Sequence, residues 1–144
     1  MGGPTMQWVR RVDVPAPAEV VWELMRDVGR WPSWNPAVAH VDLSEEGLVP
    51  GARLTLTSTG MWCHDYRVAF VEEGSRFAAV SASLGLGHWF ERRVLTGGTD
   101  ACTVRLTWAI GGLMAATADR GVHAVVTSLL DSEGVFLRER ALGA

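Results

Sequence analysis

Three polar side chains in this sequence have the types and spacing that acid–base chemistry needs. His64 and Tyr66 lie two residues apart, so in a strand both would point to the same face. A neutral imidazole can remove an acidic proton beside a carbonyl group, and a phenol or a guanidinium can donate a hydrogen bond to the enolate oxygen that forms. Arg92 supplies a guanidinium from another part of the chain. We therefore predict His64, Tyr66 and Arg92 as the catalytic residues if the protein is an enzyme.

The sequence lacks the residue patterns that other familiar enzyme chemistries require. The sequence contains no G-x-S-x-G, P-loop or H-E-x-x-H pattern, and Gly85–Gly87 lacks the third glycine and the helix of a dinucleotide fingerprint. Cys63, His64 and Asp65 are consecutive, and neighbouring strand residues point to opposite faces, so they cannot close around one metal ion. His64 and His88 could share a face but have no evident third ligand. We predict no metal site and no cofactor.

The composition is typical of one globular domain. The chain has 144 residues, of which 48% are hydrophobic and 20% charged, enough to bury a core without disulfides or metals. A net charge of −3 without a basic run argues against binding nucleic acid or anionic lipid headgroups. No stretch approaches the roughly 18 apolar residues that span a bilayer, and the N-terminus lacks a signal-peptide pattern. We expect a single cytoplasmic domain over residues 1–144, with residues 1–5 a disordered or tag-derived tail. Monomer and homodimer both stay open.

The first third of the chain predicts a strand and two short helical pieces. Trp8–Val14 alternates as a strand, and Pro17 is suited to open a helix that Gly29 would stop. Trp31–Pro36 can form at most a turn or two of helix between its prolines. The buried stripe of the first helix consists of Val21, Leu24, Met25 and Val28.

A run of strands and one long helix follow. Glycine- and proline-containing turns separate the strands, which indicates an antiparallel meander. The predicted strands are Ala39–Leu43, Arg53–Thr59, Met61–Glu72, Arg76–Leu84, His88–Thr96 and Cys102–Ile110. After Gly112 a helix of about 25 residues, long enough to cross a sheet, carries its apolar residues at helical period. Its predicted buried stripe is Val122, Val125, Val126, Leu129, Phe136 and Leu137. The sequence thus predicts an α+β domain.

Alternation predicts which side chains line the space between sheet and helix. On each strand the face with the larger apolar side chains should point inwards and the charged face outwards. Small residues among the inward set would leave volume unfilled. Aromatic walls with a few polar groups are typical of a small-molecule site. The predicted ligand-binding residues are Trp34, Trp62, Val68, Phe70, Phe77, Ser81, His88, Phe90, Leu106, Trp108, Thr117, Gly121 and Val125.

Arg92 has two interpretations. If Glu91 and Arg93 point outwards, Arg92 points inwards, where an arginine needs a partner because a buried unpaired charge is costly. Glu133, near the apolar stripe of the last helix, could be that partner. Alternatively the strand is bulged and Arg92 is solvated.

A resemblance to a known superfamily rests mainly on one stretch. The matching residues are Val14-Pro15-Ala16-Pro17-Ala18-Glu19-Val20-Val21-Trp22, then Asp27, Trp31, Trp34, Asn35, Pro36 and Val38, with Pro50-Gly51 as the turn before the third strand. They resemble the START-like or SRPBCC superfamily, including the bacterial polyketide cyclase/dehydrase family. The order of elements is similar over nearly the whole chain.

The resemblance implies the helix-grip fold. A seven-stranded curved antiparallel sheet, its first strand beside its last, would wrap around the C-terminal helix, with two short helices after the first strand and a cavity between sheet and helix. On that strand order Cys63 and Cys102 lie three strands apart, about 14 Å at 4.8 Å per strand. Because a disulfide needs Cα atoms within about 7 Å, both should be free thiols.

Three functions are compatible with that fold. An enzyme of the cyclase/dehydrase type would use His64 as base, with Tyr66 and Arg92 as donors. Aromatising cyclases resemble this chain in alternating inward polar groups, here Trp62, His64 and Tyr66, but their prominent interior arginine would have to be Arg92 from another strand. A non-catalytic carrier or sensor of a lipid- or polyketide-like molecule needs only the cavity. A protein-interaction module would need an exposed apolar patch, for which only Trp89 and Leu130 are candidates.

Overall fold

A curled seven-stranded antiparallel sheet forms the body of the protein. The computed structural model describes residues 5–59, 63–81, 87–95, 99–111 and 120–143. The strand order is β1-β7-β6-β5-β4-β3-β2, so the first strand lies beside the last, as the helix-grip fold requires. The predicted fold class is confirmed. The strands are β1 Thr5–Val14, β2 Val38–Leu43, β3 Arg53–Ser58, β4 Cys63–Glu72, β5 Arg76–Ser81, β6 His88–Leu95 and β7 Cys102–Gly111. Thr5, expected to belong to the tail, instead pairs with Gly111.

The helical elements are α1 Ala18–Arg26, a 3₁₀ helix Val28–Ser33 and the long C-terminal α2 Arg120–Leu142. Helix α1 begins after Pro17, as predicted, but ends at Arg26 because Asp27 leaves the helical region with φ −84° and ψ 64°. Gly29 therefore lies inside the 3₁₀ helix. The Trp31 indole N–H donates to the Met25 carbonyl oxygen at 3.1 Å and ties the two helices together.

On β5, β6 and β7 the described side chains of the predicted inner faces are buried, except Trp108, which is partly buried. Glu91 and Thr107 are buried as well, although alternation places them on the outer face. On β6, Phe90 and Arg92 are buried on the inner face, whereas Trp89 and Arg93 are only partly buried on the outer face. Cys63 on β4 is exposed and Cys102 on β7 is buried, and both are free thiols, as their strand separation predicted. Across the described ranges, no helix combines the length and apolarity needed to cross a membrane.

On β4 the predicted alternation fails beyond Val68. Val68 pairs with Ala79 of β5, but Phe70 pairs with the neighbouring Ala78, so one extra residue is inserted into β4. Such a bulge reverses the alternation. Phe70 consequently lies on the outer face, where the guanidinium of Arg76 is 4.9 Å from its ring centroid. The prediction that Phe70 lines the ligand site is wrong for this reason.

Helix α2 packs on β1 and β7 through a stripe shifted from the predicted one. Its buried residues are Val126, Leu130, Glu133, Gly134, Leu137 and Ala141. Val125 and Leu129, predicted to belong to the buried stripe, are 57% and 43% exposed. The prediction failed because Glu133 and Gly134, which carry no apolar signal, occupy the packed face.

Gly134 marks the closest approach of α2 to the sheet. A Cβ at this position would lie 2.5 Å from Cγ2 of Val12 on β1. We expect Gly134→Ala to cost about 1–3 kcal/mol through overpacking, reduced by the roughly 1 kcal/mol that alanine gains over glycine within a helix. Urea unfolding measures the change. Adding Val12→Ala should remove the clash and recover stability, whereas a stabilising Gly134→Ala on its own would contradict the close contact.

Candidate functional site

Six rings meet at the end of the sheet where β1 and β6 begin and β7 ends. This ring cluster consists of His64, Tyr66, His88, Trp108, Trp8 and His123. His64, Tyr66 and His88 form a triangle with centroid separations of 5.0, 5.1 and 6.1 Å. Trp108 lies 5.8 Å from His88 and continues the cluster towards β1. The structure therefore brings two of the three predicted catalytic residues together with two predicted ligand-binding residues.

Tyr66 is the most deeply placed polar group of the ring cluster. It is 4% exposed and packs edge-on against Phe90 with 4.9 Å between ring centroids. Burial raises the pKa of Tyr66 to about 12, against weaker opposing effects from a Trp108 hydrogen bond and the charge of Arg92. Because an indole only donates, Trp108 occupies an acceptor site of the Tyr66 hydroxyl. Tyr66 is thus a neutral phenol at any physiological pH and retains an O–H to donate.

His64 lies nearer to the surface than Tyr66. Its side chain is half-buried, and this burial lowers the pKa of His64 from its usual 6.5. Desolvation disfavours the imidazolium, so at neutral pH His64 is the uncharged imidazole that can accept a proton. A neutral base and a neutral hydroxyl donor consequently stand with 6.1 Å between their ring centroids.

The ring cluster reaches helix α2 through Trp8. Its indole N–H donates to Nδ1 of His123 at 2.7 Å, and its ring lies 5.6 Å from that of Trp108. Since Nδ1 accepts this bond, His123 is the neutral tautomer with its proton on Nε2. Sequence analysis assigned neither residue to the site. The register β1–β7, which sets Trp8 opposite Trp108, is the signal that could have identified Trp8.

Arg92 points inwards but is fully engaged in holding the fold. Its Nε and Nη2 donate to the two carboxylate oxygens of Glu133 at 2.6 and 2.7 Å, and Nη1 donates to the carbonyl oxygens of Glu91 and Thr107. The inward interpretation is confirmed, together with the predicted partner. These hydrogen bonds involve all three guanidinium nitrogens of Arg92, so Arg92 links β6 to α2. The prediction that it donates to a reacting oxygen has no support in this geometry.

The other predicted ligand-binding residues divide into three groups. The buried inner-face residues of this set are Val68, Phe77, Ser81, Phe90 and Leu106. Of these, Phe77 packs against Trp22 of α1 and Trp31 of the 3₁₀ helix. Trp34 instead packs on Trp31, with ring centroids 6.0 Å apart, and borders a surface depression shared with Arg140 near the other end of α2. Trp34 is a core residue directly after the 3₁₀ helix and is not a neighbour of His64. Trp62 and Thr117 lie outside the described residues, and Gly121 is described only as the second residue of α2.

The described part of the chain contains no group of three or more His, Cys, Asp or Glu side chains placed to share a metal ion. His64 and His88 are close, but a structural or catalytic zinc site takes at least three protein ligands. The arrangement is therefore a set of rings with polar edges, suited to hold an apolar molecule and to form hydrogen bonds with it at a few points.

Comparison with known families and folds gives one family match. A family model described as "Polyketide cyclase / dehydrase and lipid transport" matches residues 6–132. A search of curated proteins gives no significant match.

Many solved structures share the fold. A START superfamily protein from Mycobacterium smegmatis is 15% identical with a TM-score of 0.77, covering 95% of this chain and 97% of its own. Ginseng major latex-like protein 151 from Panax ginseng is 14% identical with a TM-score of 0.79, covering 96% and 99%. Norcoclaurine synthase from Thalictrum flavum, in complex with dopamine and hydroxybenzaldehyde, is 15% identical with a TM-score of 0.67, covering 94% and 88%. At these identities the likeness concerns the fold.

Proposed function

Because the chain belongs to the polyketide cyclase/dehydrase and lipid transport family, we propose that it binds a hydrophobic or aromatic small molecule, polyketide- or lipid-like, between the inner face of its sheet and helix α2. The observation that carries this proposal is a pair of exposed apolar side chains, Val125 and Leu129, on one flank of α2. Part of the inner face of the sheet is not covered by α2, and we infer that this flank lies above that part.

The contacts of α2 establish which way that flank faces. Asp131 contacts Arg10 of β1, and Glu133 contacts Arg92 of β6, which lies two strands further into the sheet. At about 100° per residue, Leu129 comes about 40° beyond Glu133 around the helix, and Val125 about 80° beyond. Both therefore lie on the flank of α2 that faces away from β1, on the side of the Glu133–Arg92 pair. The prediction that Val125 contributes to the ligand site remains a proposal on this ground.

Opposite this flank, the sheet offers apolar surface that is only partly buried. Leu56 of β3 and Val41 of β2 lie beside His64 in cross-strand register on the inner face. Valine and leucine side chains that stay accessible on α2 and on the sheet are costly in water, and each gains up to roughly 1.5–3 kcal/mol when it becomes fully buried. A bound apolar molecule would supply that burial, while Tyr66 and His64 would hydrogen-bond a ligand oxygen at the inner end.

A second function, cyclisation with loss of water, is favoured by the pairing of a neutral imidazole with a buried neutral phenol. His64 would remove an α-proton from a polyketone, and the enolate carbon would attack a carbonyl carbon of the same chain. Tyr66 would donate its hydrogen bond to the oxygen on which negative charge develops. The protonated His64 would return its proton to the alkoxide that results, which gives a hydroxyl group. His64 would then remove the second α-proton and deliver it to that hydroxyl as the C–O bond breaks, so that a C=C bond forms and water leaves. Arg92 has no part in this scheme, since its nitrogens are bonded elsewhere.

Thermal unfolding with a panel containing an aromatic polyketide, a fatty acid and a sterol tests the binding function. A ligand present at about 100 times its Kd stabilises the folded state by about 2.7 kcal/mol, which corresponds to a rise in Tm of about 5–10 °C for a chain of this size.

The valines of α2 provide a matched pair of variants. Val125→Asp should weaken binding about tenfold, because about 1.4 kcal/mol of apolar contact is lost. Val135 is similarly exposed, at 54%, but at about 100° per residue it lies about 160° from Glu133 around the helix, about 80° beyond Val125. Val135→Asp should therefore leave binding unchanged. If no member of the panel raises Tm, or if the two variants behave alike, the proposed site is wrong.

A further inference from the structure

Four arginines form a continuous row across the outer face of the sheet. Arg76 of β5 pairs directly with Arg93 of β6, Arg93 with Arg105 of β7, and Arg105 with Arg11 of β1. Neighbouring strands are about 4.8 Å apart, so the row extends over roughly 14 Å. Like charges placed directly opposite each other destabilise a sheet. A row of this length therefore acts against the stability of the fold unless something compensates the charge.

The described residues compensate only part of this charge. Glu91, buried two residues before Arg93 on β6, accepts from Arg76 at 3.3 Å and from Arg105 at 3.1 Å, and Glu72 accepts from Arg76 at 2.8 Å. Four guanidinium groups against two carboxylates leave a charge of +2 in a chain whose net charge is −3. Asp13, in the next row of the same face, accepts from the Thr103 hydroxyl instead.

Arg93 and Arg11 are the uncompensated members of the row. Within the described part of the chain, neither makes a hydrogen bond or an ion pair, although Arg93 lies near enough to Glu72 to lower its pKa. The Nε of Arg93 is buried without a hydrogen-bond partner among those residues. Arg11 is exposed and Arg93 partly exposed, so both can take a partner from outside the described residues.

The same face carries apolar side chains next to the row. Trp89 precedes Arg93 by four residues on β6, about 13 Å along the strand, and pairs with Val80 of β5. Trp89 is partly exposed and Val80 is 45% exposed. Tryptophan and arginine are the side chains that most often dominate protein–protein binding energy. An apolar pair beside a basic row thus has the composition of a protein-binding surface.

We propose that this outer face, Arg11, Arg76, Arg93 and Arg105 with Val80 and Trp89, binds an acidic segment of a partner protein. Carboxylates match the fork of a guanidinium, and acidic side chains four apart on a helix or two apart on a strand are spaced by about 5–7 Å, close to the spacing of the row. Extended nucleic acid would meet the negative charge of the rest of the chain, and a flat bilayer would touch a curled sheet along a narrow strip only. The surface lies on the opposite side of the sheet from the ring cluster, so this proposal is independent of the ligand site.

Fluorescence anisotropy with a labelled glutamate-rich peptide that carries one leucine tests the proposal. Binding should weaken when the ionic strength rises from about 0.05 M to about 0.3 M, because exposed charges are then screened within less than 10 Å. Arg93→Gln and Arg11→Gln should each weaken binding roughly 2- to 5-fold, the range of a single exposed ion pair. Neither substitution should alter Tm strongly, since neither arginine is paired.

Arg138→Gln is the control. Arg138 is exposed on α2, so its loss removes the same charge from another surface and should leave the peptide affinity unchanged. Failure of the peptide to bind, or an equal effect of Arg138→Gln, overturns the proposal. Tighter binding of single-stranded DNA of equal charge, or of phosphatidylserine vesicles, overturns the assignment of a protein partner.

Discussion

Replacing Glu133 by Leu is expected to lower the free energy of unfolding by about 3–5 kcal/mol, because it leaves the guanidinium of Arg92 buried without its carboxylate. The side chains of Arg92 and Glu133 are only 6% and 7% exposed, and both bonds between them are shorter than 2.8 Å. Arg92→Met should have a comparable effect, since it leaves the carboxylate of Glu133 buried without its guanidinium. For a domain that is marginally stable, such a loss brings the folded state close to half-population at moderate temperature.

The double variant Arg92→Met/Glu133→Leu tests whether the two side chains stabilise the fold as an ion pair or as two independent packing residues. With both charges removed and the volume filled by apolar atoms, most of the lost stability should return, as it does when buried ion pairs are replaced as a unit. Urea unfolding of the wild type, the two single variants and the double variant gives the coupling energy directly. A double variant as unstable as the sum of the single variants would show that the two residues act separately.

The exposed pair Arg10–Asp131 is the control for this cycle. It joins β1 to the same helix at 2.6 Å, but its side chains are 38% and 57% exposed. Asp131→Asn should therefore cost less than about 1 kcal/mol. A similar cost for Asp131→Asn and Glu133→Leu would mean that burial does not govern the strength of these links.

This set of variants also bears on function, because it tests whether Arg92 stabilises the fold and takes no part in the chemistry. All three of its nitrogens are bonded to the protein, so loss of activity in an Arg92 variant would follow from instability. The double variant should consequently keep its ligand affinity. An activity assay that used Arg92→Met alone would confuse the two effects.

Alternation was sufficient to predict most of the inner face. Residues two apart on β6 and β7 share a face with no irregularity, and this placed His88, Phe90 and Trp108 correctly. The pattern failed at Phe70 because a bulge inserts one residue into β4, and no turn residue or glycine marks that position. The position of a bulge depends on pairing with the neighbouring strand, and the alternation within one strand carries no information about that pairing.

The helix was harder to predict than the strands. The apolar period of α2 suggested that Val125 and Leu129 are packed, but Glu133 and Gly134 occupy the packed face. A charge with a buried partner and a glycine with a close neighbour both contradict the rule that core positions are apolar. His123 is exposed on α2, and the apolar period gives no sign that it accepts the indole N–H of Trp8.

The largest effect on chemistry is expected at His64. If the protein cyclises a polyketone, His64→Phe should lower kcat by roughly 10²–10⁴-fold, the contribution of a general base. Tyr66→Phe, which keeps the ring contacts and removes the hydroxyl, should lower kcat by roughly 10²–10³-fold through loss of a donor to the developing oxyanion. Conversion of a synthetic linear triketone to its cyclised, dehydrated product measures both. His40→Phe, at an exposed histidine of β2, should leave the rate unchanged.

The pH dependence gives a second, independent readout. As the pH falls through the pKa of His64, which burial lowers from 6.5, the imidazole is protonated and the base is lost, so the rate should fall on the acid side of 6.5. Towards alkaline pH the rate should stay level until Tyr66 ionises at about 12. His64→Phe should abolish the acidic limb. If the wild type and both variants bind the triketone equally and none converts it, the ring cluster serves binding alone, and the carrier or sensor function is favoured over the enzyme.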